Sequence, residues 1–172
     1  MRTSTMVAAL LCVVAVSAGA QTKVSGKLSC GKPDVNSSAD IPDVAGHAVG
    51  LTKANCTWPT PLEIAGVKTT TSVDVSVAEV HGFSANGHGY NVLTMSNGDK
   101  VTVTYQGTVQ MSKDGSATYK GTWRWISGTG MFKGITGSGT YKGSQGADGV
   151  GVTDIEGDYT LAAAAKATTK KP

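Results

Sequence analysis

Apolar and polar side chains alternate with a period of two through most of the chain. Val101, Val103, Tyr105, Val109 and Met111 fall on one side, and Thr102, Thr104, Gln106, Thr108 and Gln110 on the other. Tyr119, Trp123 and Trp125 oppose Thr118, Lys120, Thr122 and Arg124 in the same way. This is the pattern of strands with one face buried. It predicts strands over Val24–Cys30, His47–Trp58, Thr70–Gly82, Gly89–Met95, Lys100–Met111, Ala117–Ile126, Thr136–Gly143 and Gly149–Leu161. Asn97-Gly98-Asp99, Lys113-Asp114-Gly115 and Ala147-Asp148-Gly149 supply hairpin turns. Pro33–Asp43 and Pro59–Val67 read as longer crossings, the second with room for a short irregular segment. Helix signals are nearly absent, and eight antiparallel strands can close a small barrel with no open edge. The expected fold is a single all-β, eight-stranded antiparallel barrel.

One strand breaks its own pattern. Val73, Val75 and Val77 set an apolar phase, and Glu79 and His81 continue it. If that phase points inward, a carboxylate and an imidazole stand where valines are expected, an arrangement that suits acid–base chemistry near a barrel mouth. The same two residues also read as a hydrogen-bonded structural pair at a strand end. Glu79 and His81 are therefore the only catalytic candidates.

The N-terminus changes the compartment. Arg2, the apolar run Met6–Val16 and Ala18-Gly19-Ala20 form a signal peptide cleaved near Ala20. The expected organisation is residues 1–20 signal, 21–162 barrel and 163–172 a disordered basic tail, in a secreted or periplasmic protein. No segment approaches the roughly 20 apolar residues of a membrane helix. Past the signal, Cys30 and Cys56 form an even pair, expected as a structural disulfide in an oxidising compartment.

Charge excludes one class of partner. Without Arg2 the chain keeps 14 basic residues against 12 acidic ones, and Lys166, Lys170 and Lys171 lie in the tail. The body has no basic face for nucleic acid. His47, His81 and His88 lack ligand spacing of the HExxH kind, so neither a metal nor a cofactor is indicated. Asp154, Glu156 and Asp158 share one face of the last strand, but positions two apart lie about 6.6 Å from each other and read as a solvated surface.

The stretch Gly121–Tyr141, GTWRWISGTGMFKGITGSGTY, carries a resemblance. Ile126, then Gly128-Thr129-Gly130, Phe132, Gly134, Gly137 and Tyr141, is similar to the signature turn of the allene oxide cyclase barrel and dirigent-like superfamily. It looks most like the secreted bacterial members, in which a GTG-x-F-x-G-I-x-G-x-G-x-Y pattern ends the domain and a cysteine pair joins the first two strands. The resemblance implies an eight-stranded barrel and a trimer, whereas polar outer faces such as Thr102–Gln110 suit a monomer. It carries over no catalytic residue: allene oxide cyclases use an acidic residue and an asparagine inside the barrel, and the first strand here, Val24–Cys30, supplies neither.

Function is expected to lie in the interior. Tyr105, Tyr119, Trp123, Trp125, Tyr141 and Tyr159 could line a pocket for a small apolar or aromatic ligand. They could equally fill the barrel or an interface between copies. Ligand binding is the principal expectation. An isomerase or cyclase enclosing a reactive substrate, and a structural protein with a filled barrel, are the alternatives.

Overall fold

The computed structural model describes residues 21–162. The signal-peptide and tail expectations, residues 1–20 and 163–172, lie outside the described residues. Ten strands form: β1 (Thr22–Cys30), β2 (Val35–Asp40), β3 (His47–Thr60), β4 (Glu63–Ile64), β5 (Val67–His81), β6 (Ser84–Met95), β7 (Lys100–Met111), β8 (Ala117–Gly128), β9 (Ser138–Gln145) and β10 (Gly151–Tyr159). Eight of them close a barrel in the order β3-β1-β10-β9-β8-β7-β6-β5, which returns to β3. All the pairings are antiparallel. β2 lies along β3 beyond the end of β1, and β4 caps the start of β5. Among the described residues no helix is long and apolar enough to cross a membrane.

Closure rests on an uneven seam. β1 meets β10 over nine registered pairs but meets β3 at only three, Lys27↔Thr60, Ser29↔Thr57 and Cys30↔Cys56. The last of these is covalent, a Cys30–Cys56 disulfide.

The inner face divides into a full half and a hollow half. Near the β6–β7 turn the inward positions are large: Trp58, Leu93, Met95, Val101 and Trp125 pack with Leu62, Ile64 and Phe132. Phe132 is fully buried behind the Gly128-Thr129-Gly130 turn. That turn is clamped to the neighbouring hairpin by hydrogen bonds from Thr129 Oγ1 to Asp99 (3.1 Å) and from Lys100 N–H to Thr129 Oγ1 (2.8 Å). Gly130 has φ +50°, a conformation that favours glycine, and a Cβ there would displace the Asp99 carboxylate from the turn it clamps. Toward the opposite end the inward positions shrink to Ala54, Ser76, Ala78, Gly87 and Gly107, leaving the interior open.

The structure corrects the assignment of faces on β5. A bulge between Thr69 and Thr71 adds one residue. Inward positions move from Thr69 to Ser72, Asp74, Ser76 and Ala78, because a one-residue shift sends every later side chain to the other face. Val73, Val75 and Val77 thus lie on the outer wall with Val49, Leu51 and Tyr90, of which Val49, Leu51, Val75 and Tyr90 are well exposed. Glu79 and His81 go with them and do not face the interior. β2 is a second correction: it occupies part of Pro33–Asp43, read from sequence as a crossing.

Candidate functional site

The hollow half is a cavity of about 250 Å³. It extends from Trp58 and Trp125 at its floor to Gly31, Pro33, Gln145 and Gly149, which lie at the open end of the barrel. Five of the six aromatic residues singled out in the sequence, Tyr105, Tyr119, Trp123, Trp125 and Tyr141, line it. Tyr159 does not; it is buried at the packed end, where its hydroxyl accepts from the Ala65 N–H at 2.9 Å.

The rings are held by paired groups at their edges. Trp123 Nε1 donates to the Thr140 carbonyl (3.2 Å), Trp125 Nε1 to the Asp158 carbonyl (3.1 Å), and the two indoles meet edge to face at 4.8 Å. Tyr105 and Tyr141 meet edge to face at 5.7 Å. Their flat placement depends on the neighbouring strands lacking side chains. A Cβ at Gly89 would fall 2.6 Å from Tyr105 Oη, and one at Gly121 would fall 2.6 Å from Tyr141 Oη.

Two polar side chains that the sequence analysis did not single out, Asp74 and Asn91, stand in this wall. Tyr105 Oη donates to Asp74 Oδ2 at 2.8 Å, and Asn91 Nδ2 donates to Asp74 Oδ1 at 3.2 Å. Burial pushes the Asp74 carboxyl above its ordinary range, against the opposing pull of these two hydrogen bonds. Burial, followed by the nearby Asp74 charge, raises the Tyr105 hydroxyl strongly and moves Tyr141 up to about 12. Tyr119 is raised by burial too, and shares a hydrogen bond with Thr153 Oγ1 (3.0 Å).

One atom of this group is left over. Asn91 is 5% exposed, and its Oδ1 is buried with no hydrogen-bond partner among the described residues. Turning the amide over exchanges an unpaired acceptor for an unpaired donor, so one end of Asn91 is unsatisfied in either orientation. A buried polar group left this way costs roughly 1–3 kcal/mol.

On the outer wall, Glu79 and His81 join a histidine that the sequence gave no reason to pair with them. β3 and β5 run in register, with His47 opposite His81 and Val49 opposite Glu79. His47 Nε2 lies 3.0 Å and His81 Nε2 3.3 Å from Glu79 Oε1, and the two imidazoles stack at 4.1 Å. The other nitrogen of His47, Nδ1, is 2.7 Å from Asp43 Oδ1. The hydrogen bond to Asp43, and then that to Glu79, raises the His47 imidazole above its ordinary range; the same contacts lower Asp43 and Glu79. His88 lies elsewhere, on the outer face of β6 opposite Gln106. Asp154 and Asp158 face outward and pair with Lys27 (3.1 Å) and Lys23 (3.8 Å); Asp154 is half exposed, whereas the Asp158 carboxylate is largely covered.

No protein-family model and no curated protein matches this chain.

Proposed function

We propose that the barrel binds one small apolar or aromatic molecule in its open half, with a polar substituent of that molecule meeting the Asp74–Tyr105 pair. The observation that carries this reading is the hydrogen-bonded group of Asp74, Asn91 and Tyr105 in a wall otherwise built of rings and small side chains. A cavity that only needed filling would hold apolar side chains at these positions, since burying polar groups there costs free energy. The volume bounds the guest. About 250 Å³ lies between the about 150 Å³ that holds a benzene ring and the roughly 300 Å³ at which ordinary ligand pockets begin, which suits one or two rings.

The test is native mass spectrometry of protein purified from its own host, followed by titration with phenol and indole read by tryptophan emission. A retained mass, or saturable binding that Val109→Phe abolishes by filling the cavity that Val109 lines, is the expected result. Absence of both, or binding indifferent to Val109→Phe, refutes the reading. An enzymatic reading, an isomerase or cyclase, draws on a separate observation: the interior carboxyl hydrogen-bonded to Tyr105 is held toward its protonated form, as a proton donor to an enclosed substrate would be.

A further inference from the structure

The cluster on the outer wall gathers the lone pairs of two imidazoles and a carboxylate closely enough to hold a cation. Asp43 is anchored by the Val44 N–H (2.6 Å) and, as a carboxylate, can only accept from His47, so Nδ1 of that ring carries the proton. Nε2 of the same ring then points at Glu79 Oε1, another acceptor, and His81 Nε2 points at that same oxygen. One carboxylate oxygen is thus faced by two imidazole nitrogens. Each N···O approach is bridged by an N–H hydrogen or, with that proton displaced, by a metal ion.

We propose that His47, Glu79 and His81 bind a divalent first-row transition metal ion of the zinc class, with Asp43 as the positioning residue for His47. The three ligand atoms lie within 4.8 Å of one another. Bond lengths of about 2.0–2.2 Å in a tetrahedral zinc site require separations of about 3.3–3.5 Å. Two of the separations, 3.0 and 3.3 Å, already lie near that range. The third closes by rotation of His81, which is half exposed.

Rigidity differs usefully among the ligands. His47 is buried and fixed on one side by Asp43. An Asp carboxylate on the far nitrogen of a ligating histidine fixes its tautomer and raises its basicity, the usual support of such a ligand. The backbone holds the rest: His47 and His81 are cross-strand partners, and the Gly82 N–H donates to the Gly46 carbonyl at 2.9 Å, tying together the two turns that flank the cluster. Two histidines and one glutamate leave a fourth position for solvent or an outside ligand. Neutral imidazole and carboxylate also suit the zinc class better than magnesium or calcium, which prefer all-oxygen sites.

Zinc chloride and cobalt chloride titrations of the untagged secreted form, near neutral pH, test the assignment. The expected result is one ion per chain and, for cobalt, the intense visible absorption of four-coordination. His81→Ala and Glu79→Gln should each weaken zinc binding at least about 100-fold, and Asp43→Asn about 10–100-fold, with the far-ultraviolet dichroism unchanged. His88→Ala, remote from the cluster, should change nothing. Binding that survives His81→Ala, equal loss in His88→Ala, or no saturable binding of either ion overturns the proposal. An Asp43→Asn variant that binds like the parent overturns the role given to Asp43. None of these outcomes depends on the interior cavity, which lies on the other face of the wall.

Discussion

Removing the Cys30–Cys56 bond should open the barrel at its weakest seam. With three registered pairs and an irregularity between Lys27 and Ser29, the β1–β3 junction has little else to hold it, whereas β1 keeps nine pairs to β10. The bridged residues are 26 apart in sequence. Closing a loop of that length removes roughly 3.5 kcal/mol of unfolded-chain entropy, a large share of the roughly 5–15 kcal/mol that holds a domain together. At about 2–4 °C per kcal/mol for a domain of this size, the double variant Cys30→Ala/Cys56→Ala should melt roughly 7–14 °C lower. Alanine is the correct replacement because Cys56 is only 2% exposed and serine would bury an unpaired hydroxyl. Calorimetry gives the global figure, and hydrogen exchange locates it: the Gly31 N–H, which donates to the Asn55 carbonyl at the seam, should lose protection before the amides between β1 and β10. A melting point within about 2 °C of the parent, or seam amides as protected as before, would refute the reasoning.

Asp74→Asn should flatten the pH dependence of stability. A buried acid whose pKa is raised on folding stabilises the fold while it is protonated in both states, and that contribution is lost as pH rises from its unfolded value through its folded one. Urea titrations of both proteins from acid to neutral pH should show the parent losing stability relative to the variant across that window; a difference independent of pH, or one of opposite sign, counts against a buried carboxyl. All three tryptophans, Trp58, Trp123 and Trp125, are buried, so emission should be blue-shifted and nearly insensitive to iodide, and ready quenching would place at least one ring outside.

The strands that close the barrel were legible because their alternation is strict and their turns are marked by glycine. β2 was not: Val-Asn-Ser-Ser-Ala-Asp is exposed along its whole length and has no buried phase to betray it. The larger miss was on β5. Thr69, Thr70 and Thr71 are equally at home on either face, so nothing in their chemistry marks the extra residue. Three valines were then read as core, and Asp74 between them was passed over. The available counter-signal was on the neighbouring strands, where Gly87, Gly89 and Gly107 leave the inner positions without bulk. A wall that empties itself at consecutive inward sites has room for a carboxyl and an amide. The cluster of His47 with Glu79 and His81 could not be read from spacing, because residues 32 apart became neighbours through strand register alone.

The rings that line the open half rest on bare backbone, and this separates the dimensions of the chamber from its chemistry. A methyl group placed at Gly89 or Gly121 would meet the facing backbone first, at the Val75 and Gln106 carbonyls, and the tyrosine hydroxyl next. The breadth of the chamber is therefore set by a strand spacing that admits no side chain at these positions. Its chemistry is set separately, by the hydroxyls, indoles and carboxyl that the rings and Asp74 bring to its lining.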